Sequence, residues 1–204
     1  MITDLIAAER RDLLTLLTDL PEAAWSAPTL CAGWHVAEVL AHTTMAFRYS
    51  TGRFVLELAK SGGNFNRMSD RSARRDAATL SRDDLLECLR ANITHPWQPP
   101  GGGPEGALSH DVIHGLDITV ALGLDRRVPE DRLSVVLSGL SPKHLKYFGV
   151  DLTGVELRAT DMDWSYGSGT PVTGAAQDLL LLVCGRRLPA GHLHGEPSRR
   201  FTTA

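Results

Sequence analysis

The chain has 204 residues, of which 43% are hydrophobic and 22% charged, and its formal net charge is −3 at pH 7. This balance is typical of a soluble globular protein with a substantial core, and it gives no general electrostatic reason to bind nucleic acid. No apolar run approaches the roughly 20 residues that span a bilayer, and the N-terminus MITDLIAAERRDLL lacks the apolar segment of a signal peptide. We therefore expect a cytoplasmic protein with neither nucleic-acid nor membrane partners.

Apolar residues at helical spacing predict a first helix from Ile2 to about Leu20, which Pro21 ends. After the turn SAPTLCAGW, a second long helical pattern, HVAEVLAHTTMAFRYSTGRFVLELAK, follows, and Gly52 is the residue expected to interrupt it. His35 stands at its N-cap, with Glu38 three residues later, which is the spacing of a capping pair. The polar segment SGGNFNRMSDRSARRDAATLS is interpreted as a loop or polar helical stretch whose basic run RSARRD is a solvated face.

Ser81 and Asp84 predict a capping box before the third helix, DLLECLRANI. The Pro- and Gly-rich stretch HPWQPPGGGPEG then leads into a fourth helix, in whose first turn Pro104 and Glu105 are favourable. These four helices predict a bundle over residues 1–125. Bundle cores commonly hold metal sites built from side chains on facing helices.

The character of the sequence changes over residues 126–204. A helical pattern runs from Pro129 to about Phe148, and VELRATDMDWSYG then alternates apolar and polar residues, as a short hairpin does. AAQDLLLLVCGRR predicts a final helix closed by Gly185, and the tail GHLHGEPSRRFTTA is expected to be poorly ordered. The expected fold class is mainly α: an N-terminal four-helix bundle followed by a small α+β part.

Three polar side chains interrupt the apolar pattern of the fourth helix, LSHDVIHGLDITVALG. His110, His114 and Asp117 are three and four residues apart, so they form one stripe along the helix. Unpaired buried imidazoles and carboxylates are costly, so this stripe must meet a metal ion, a buried hydrogen-bond network or water. Two histidines four residues apart can hold one ion, as in the H-E-x-x-H zinc helix, although the second residue here is Asp111.

A metal would need a third ligand, and His42 is the best candidate because it lies inside the apolar pattern VLAHTTMAF of another helix. His35 shares its face, but seven residues span about 10 Å, too far for both side chains to hold one ion. The predicted metal ligands are His42, His110 and His114. Three imidazoles leave at least one position open, as in catalytic sites; Zn2+ fits them best, and Ni2+, Fe2+ or Mn2+ would also be accepted.

The three cysteines, Cys31, Cys88 and Cys184, lie far apart and suit a reducing compartment. Cys88 and Cys184 are interpreted as small core residues, since both lie within apolar patterns. Cys31 lies near a turn and is the one weak candidate for a reactive thiol.

The stretches PTLCAGWHVAEVLAHT, HDVIHGLDITVALG and LRATDMDWSYGSGTPVTGAAQDLLLLVCGRR resemble the mycothiol-dependent maleylpyruvate isomerase-like family of the DinB/YfiT metal-dependent superfamily. The resemblance spans nearly the whole chain and is most specific at the turn Gly33-Trp34 and at residues 114–117. It implies a DinB-like four-helix bundle that holds a divalent ion, followed by a smaller α+β part. The isomerase is similar at His42 and His114 but has an acidic ligand where this chain has His110, so the three histidines look more like the DinB-type triad.

The resemblance implies that mycothiol, a low-molecular-weight thiol, is activated at the metal and attacks a small electrophile, as in a thiol-dependent transferase or isomerase. A monomer or homodimer is expected. Asp117 is assigned to the active site, where it would orient a ligand imidazole; a helix-packing hydrogen bond is the alternative. Two other functions stay open: a metal-dependent hydrolase with Asp111 as general base, and a metal-binding or stress-associated module without turnover.

Overall fold

The computed structural model describes residues 1–203, which divide into two compact units at residue 118. The first unit contains helices α1 (Ile2–Thr18), α2 (Val36–Arg48), α3 (Thr51–Lys60), α4 (Phe65–Thr79), α5 (Arg82–Ala91) and α6 (Gly103–Ala121). The division falls inside α6, whereas the sequence-based boundary after residue 125 stays a prediction. Among the described residues, no helix has both the length and the apolar content that a membrane crossing needs.

The second unit combines helices with a small sheet. It contains α7 (Glu130–Ser138), α8 (Pro142–Phe148) and α9 (Ala176–Val183), and strands β1 (Val155–Ala159), β2 (Ser165–Gly167), β3 (Thr170–Gly174) and β4 (Leu193–His194). The prediction of a mainly α chain with a small C-terminal α+β part is confirmed.

The four predicted helices of the first unit correspond to α1, α2, α5 and α6. On α1, Ile6, Leu13 and Leu17 form a buried stripe, and α1 packs against α5. Helix α2 packs against α5 and α4. Ser81 caps α5 as predicted: its hydroxyl accepts from the Asp84 backbone N–H at 3.1 Å, while the Asp84 carboxylate accepts from the Ser81 N–H at 2.9 Å.

The second long helical pattern forms two helices. The break lies at Tyr49 and Ser50, and Gly52 belongs to the first turn of α3. Ser50 has an extended backbone, and its hydroxyl accepts from the Arg53 N–H at 3.3 Å, which is the geometry of an N-cap. The new helix therefore starts at the capping serine, two residues before the glycine that was expected to interrupt the pattern.

The polar segment that follows is the regular helix α4, and its basic run is not a simple solvated face. Asp76 is buried on α4, where its carboxylate accepts from Arg48 at 2.5 Å and from the Tyr49 hydroxyl at 3.0 Å. Arg71 and Arg75 bind the buried Glu57 of α3 at 2.8 and 3.1 Å. Ion pairs to neighbouring helices, rather than apolar periodicity, allow this polar helix to pack.

The sheet of the second unit has the strand order β2-β1-β3-β4. Strands β1 and β2 pair antiparallel, as the predicted hairpin requires, while β1 and β3 pair parallel. Leu157 lies opposite Tyr166 on one side and opposite Val172 on the other. Helix α9, with Leu179–Val183 buried, packs against β1 and β3 and forms the core of this unit.

The helical pattern predicted from Pro129 to Phe148 forms two helices, since α7 ends at Ser138 and α8 begins after Ser141. One expectation for this unit was wrong. The tail is ordered through residue 203: β4 pairs antiparallel with β3, and Leu193 is buried. Long-range strand pairing and burial order this tail, and neither can be seen in its local composition.

Candidate metal centre

The three predicted ligands meet in the structure. Helix α2 contributes His42, while α6 contributes His110 and His114 from one face, as their spacing predicts. Their candidate donor nitrogens all lie within 4.8 Å of one another, and the Nε2 atoms of His42 and His110 are 3.2 Å apart. The ring centroids are separated by 4.8 to 5.1 Å. The side chains thus converge on one point, although 68 residues separate His42 from His110.

A carboxylate contacts the outer nitrogen of each histidine on α6. The Nδ1 atom of His110 lies 3.1 Å from Oδ1 of Asp111, and that of His114 lies 3.1 Å from Oδ2 of Asp117. Because an ionised carboxylate only accepts hydrogen bonds, each contact favours the tautomer with its proton on Nδ1. The Nε2 lone pairs are then available to a ligand, which is the usual arrangement around metal-binding histidines.

His42 is kept neutral by its surroundings. Burial, followed by the repulsion from His114 and His110, holds the pKa of His42 well below its usual value of 6.5. Neutral imidazole is the form that binds metals. At neutral pH the cluster therefore presents this ligand in the correct protonation state.

These residues fit a divalent cation. Two nitrogens bound to Zn2+ at 2.0–2.1 Å with tetrahedral geometry are separated by about 3.3 Å, close to the 3.2 Å between Nε2 of His42 and Nε2 of His110. The Nδ1 atom of His42 is buried and has no hydrogen-bond partner within residues 1–203, so no protein contact turns its Nε2 away from the cluster. Three imidazoles form a donor set typical of catalytic zinc sites.

Two indole rings pack on the imidazoles. Trp34, in the turn before α2, lies 5.0 Å from His42 between ring centroids, and its Nε1 donates to Asp70 at 2.8 Å. Trp97, in the connection before α6, lies 5.2 Å from His110. The resemblance pointed to Trp34, but nothing in the sequence marked Trp97 among its Pro- and Gly-rich neighbours.

The other candidates from the sequence have separate positions. His35 is the N-cap residue of α2, as predicted, and its backbone N–H donates to the Glu38 carboxylate at 2.8 Å. Cys31 belongs to a second possible donor set with His114 and Asp117, whose candidate ligand atoms lie within 4.8 Å of one another. The structure therefore offers two overlapping donor sets, which share His114.

Sequence reasoning missed Arg10. Its Nε donates to Oδ2 of Asp111 at 2.7 Å, and both side chains are almost completely buried. A signal was present, because Arg10 lies on the same face of α1 as the buried Ile6, Leu13 and Leu17. A charged residue on an apolar stripe predicts a buried partner.

Comparison with known proteins gives results at two levels. Residues 6–96 match the family model of the mycothiol maleylpyruvate isomerase N-terminal domain. The crystal structure of the mycothiol-dependent maleylpyruvate isomerase superposes with a TM-score of 0.55 at 15% identity, covering 97% of this chain and 92% of that chain. The crystal structure of a histidine-to-alanine mutant of that isomerase superposes with a TM-score of 0.55 at 14% identity, and it covers the same shares of the two chains. A search of curated proteins gives no significant match.

The two results confirm the family resemblance in different ways. The match over residues 6–96 covers α2 and therefore His42, while α6 lies beyond it. At 15% identity the structural likeness shows the fold alone, but it extends over nearly the whole of both chains. Residues 6–96 are thus similar to the mycothiol maleylpyruvate isomerase N-terminal domain, and the chain has the fold of the mycothiol-dependent maleylpyruvate isomerase.

Proposed function

We propose that the protein is a metal-dependent enzyme that uses a thiol, mycothiol, as cosubstrate and acts on a small electrophilic molecule as a transferase or isomerase. The observation that carries this proposal is the convergence of His42, His110 and His114 on one point. The match of residues 6–96 to the mycothiol maleylpyruvate isomerase N-terminal domain and the fold shared with the mycothiol-dependent isomerase support the choice of mycothiol. A cytoplasmic monomer or homodimer remains part of the proposal.

His42, His110 and His114 would hold the ion through their Nε2 atoms, and Zn2+ suits three imidazoles best. Ni2+, Fe2+ and Mn2+ are the other candidates. When bound, such an ion supplies a positive charge that favours the thiolate form of a thiol, the nucleophilic form.

The protein side chains prepare the site for this chemistry. The carboxylates of Asp111 and Asp117 accept hydrogen bonds from Nδ1–H of His110 and His114, respectively. These hydrogen bonds fix the direction of both rings. Trp34 packs on His42, and burial of that imidazole lowers its pKa. We assign Asp117, which is fully buried, to orienting His114, rather than to contact with substrate.

The contacts of Asp111 argue against the hydrolase alternative. One of its oxygens accepts from Arg10 at 2.7 Å, and the other lies 3.1 Å from His110. A general base needs an oxygen within reach of the water that it deprotonates. Since both oxygens of this buried carboxylate are engaged, Asp111 is poorly placed for that role.

Metal analysis of the untagged protein, purified without chelators, tests the first half of the proposal. We expect about one divalent ion per chain, because three imidazoles converge on one point and form a donor set typical of catalytic zinc sites. Less than a tenth of an equivalent, after reloading with zinc, nickel, iron and manganese, would contradict the proposal.

A thiol-consumption assay tests the second half. The loaded protein is incubated with mycothiol and a panel of electrophiles, alongside a peptidase assay. Thiol-dependent turnover supports the proposal, whereas thiol-independent hydrolysis supports a hydrolase. Full metal content with no turnover in either assay would support a metal-binding module.

A further inference from the structure

Arg10 connects helix α1 to the candidate ligand His110. Its side chain is 1% exposed, and it belongs to the turn of α1 that faces α6 and the connection between α5 and α6. We propose that Arg10 is a positioning residue, which fixes the ring of His110 from two directions although it does not touch that ring. The inference rests on the proposed function, because His110 is assigned there as a metal ligand.

The first connection runs through Asp111. The Arg10 Nε donates to Oδ2 of Asp111 at 2.7 Å, and Oδ1 of the same carboxylate lies 3.1 Å from Nδ1 of His110. This charge-assisted hydrogen bond holds the buried carboxylate in one orientation. The oriented Oδ1 of Asp111 faces Nδ1 of His110, so Arg10 indirectly fixes the direction of that ring and favours its Nδ1–H tautomer.

The second connection runs through the segment between α5 and α6. The Arg10 Nη1 donates to the backbone carbonyls of Asn92, Ile93 and His95 at 3.1, 3.4 and 2.8 Å. The Nδ1 of His95 in turn accepts from the backbone N–H of Trp97 at 3.1 Å, and the Trp97 ring lies against His110. Arg10 thereby holds the segment that places this indole on the imidazole.

Packing alone does not explain why the buried position 10 is an arginine rather than an apolar residue. Its Nη2 is buried without a hydrogen-bond partner within residues 1–203, so the site does not satisfy every donor of the guanidinium. A well-packed apolar pair would often stabilise a core as much as a buried ion pair does. An apolar side chain could not form the hydrogen bonds that Arg10 makes to Asp111 and to the backbone carbonyls of the segment before α6.

Three variants test the proposal. Arg10→Met removes both connections, whereas Arg10→Lys keeps a positive charge for Asp111 but lacks the planar set of donors that reaches three carbonyls. Arg48→Met is the matched control, since Arg48 forms an ion pair with the buried Asp76 that joins α2 to α4. All three variants remove or change an arginine that crosslinks helices.

Two measurements are made on each variant. Long-range 1H–15N NMR of the metal-free protein reports the tautomer of His110, and chelator competition reports the affinity for Zn2+. We expect Arg10→Met to lose the uniform Nδ1–H tautomer and about 10- to 100-fold in Zn2+ affinity. Arg10→Lys should fall between this variant and the parent, while Arg48→Met should keep the parent tautomer and affinity.

Parent-like tautomer and affinity in Arg10→Met would overturn the proposal, as would an equal loss in Arg48→Met. If Arg10→Met does not fold, Arg10→Lys decides in the same way: parent values in both measurements overturn the proposal. A parent protein that binds no Zn2+ would contradict the proposed function. The NMR comparison on metal-free protein would then still decide whether Arg10 controls the His110 ring.

Discussion

At the scale of single residues, the candidate site depends on three imidazoles whose protonation is set by their neighbours. Carboxylates contact Nδ1 of His110 and His114, and burial keeps His42 neutral. The contacts therefore favour the Nδ1–H tautomer of His110 and His114, and His42 is neutral, before any ligand binds. Substitutions at these positions should change metal binding much more than folding.

His42→Ala, His110→Ala and His114→Ala should each lose most of the bound metal, because each removes one of three donors. All three variants should remain helical by circular dichroism, since packing of the helices supplies most of the stability. His35→Ala is the control, because His35 caps α2 with its side chain half exposed. Full metal in His110→Ala together with metal loss in His35→Ala would show that the ligand assignment is wrong.

His110→Glu is a more informative change at the same position. It introduces the acidic ligand of the resembling isomerase, and a carboxylate oxygen is an acceptable zinc donor. We expect metal to be retained while the added negative charge changes the acidity of a bound thiol or water. Elemental analysis and the pH dependence of thiol consumption check the two parts separately.

Asp117→Asn should weaken metal affinity or turnover about 10- to 100-fold without unfolding the chain. An amide accepts the Nδ1 proton of His114 less strongly than the buried carboxylate does, so the ring is held less firmly. Asp76→Asn, at another buried carboxylate, should lose stability but keep metal affinity. Parent-level affinity and activity in Asp117→Asn would show that Asp117 is only a packing residue.

Cys31→Ser separates the two overlapping donor sets. If the histidines are the ligands, the variant should retain about one Zn2+ per chain, because Cys31 is outside that set. Loss of metal from Cys31→Ser, with metal retained in His42→Ala, would instead assign the ion to Cys31, His114 and Asp117.

At the scale of helices, ion pairs hold α3 against α4. The buried Glu57 contacts Lys60 at 3.1 Å within α3, and Arg71 and Arg75 reach it from α4. The hydrogen bond from Lys60, followed by the contacts with Arg75, lowers the pKa of Glu57 from 4.5 to about 2. Helix α4 is therefore held to its neighbour by charge at positions where most helices present apolar side chains.

This lowered pKa predicts a pH-dependent contribution to stability. Because the folded-state pKa lies below the unfolded one, the contribution is complete above about pH 4.5 and is lost as the pH falls toward 2. Urea unfolding should show Glu57→Gln less stable than the parent by about 1 kcal/mol at pH 6, and the difference should shrink at pH 3. Glu87→Gln is the control: it removes an exposed ion pair with Arg90 and should differ little from the parent in stability. An equal loss of stability at pH 6 and pH 3 in Glu57→Gln would contradict the argument.

At the scale of the whole molecule, metal binding should stabilise the fold without creating it. Ligand binding to the native state adds about 2.7 kcal/mol at a free concentration 100 times the Kd. For a chain of this size, that corresponds to a rise in Tm of roughly 5–10 °C. Calorimetry with and without Zn2+ checks the shift, and His42→Ala should show almost none. A metal-free chain without helical structure would show that the ion is needed for folding.

The sequence alone determined the features that depend on local periodicity. Helical spacing located α1, α2, α5, α6 and α9, and it placed His110, His114 and Asp117 on one stripe. The Ser81 capping box and the β1–β2 hairpin were also predicted, since both depend on residues that are close in sequence. His42 was identified as the third candidate ligand because it lies inside the apolar pattern of another helix, whereas the other histidines lie near helix ends or in loops.

Only the tertiary structure decided the features that depend on distant contacts. The sequence left helix α4 open between a loop and a polar helical stretch, because ion pairs to other helices stabilise it. The ordered tail was missed, because pairing with β3 stabilises it. The convergence of His42 with the histidines of α6 depends on packing across 68 residues. Arg10 was missed for the same reason: its partner Asp111 lies 101 residues away, and no local pattern encodes which charge a buried arginine meets.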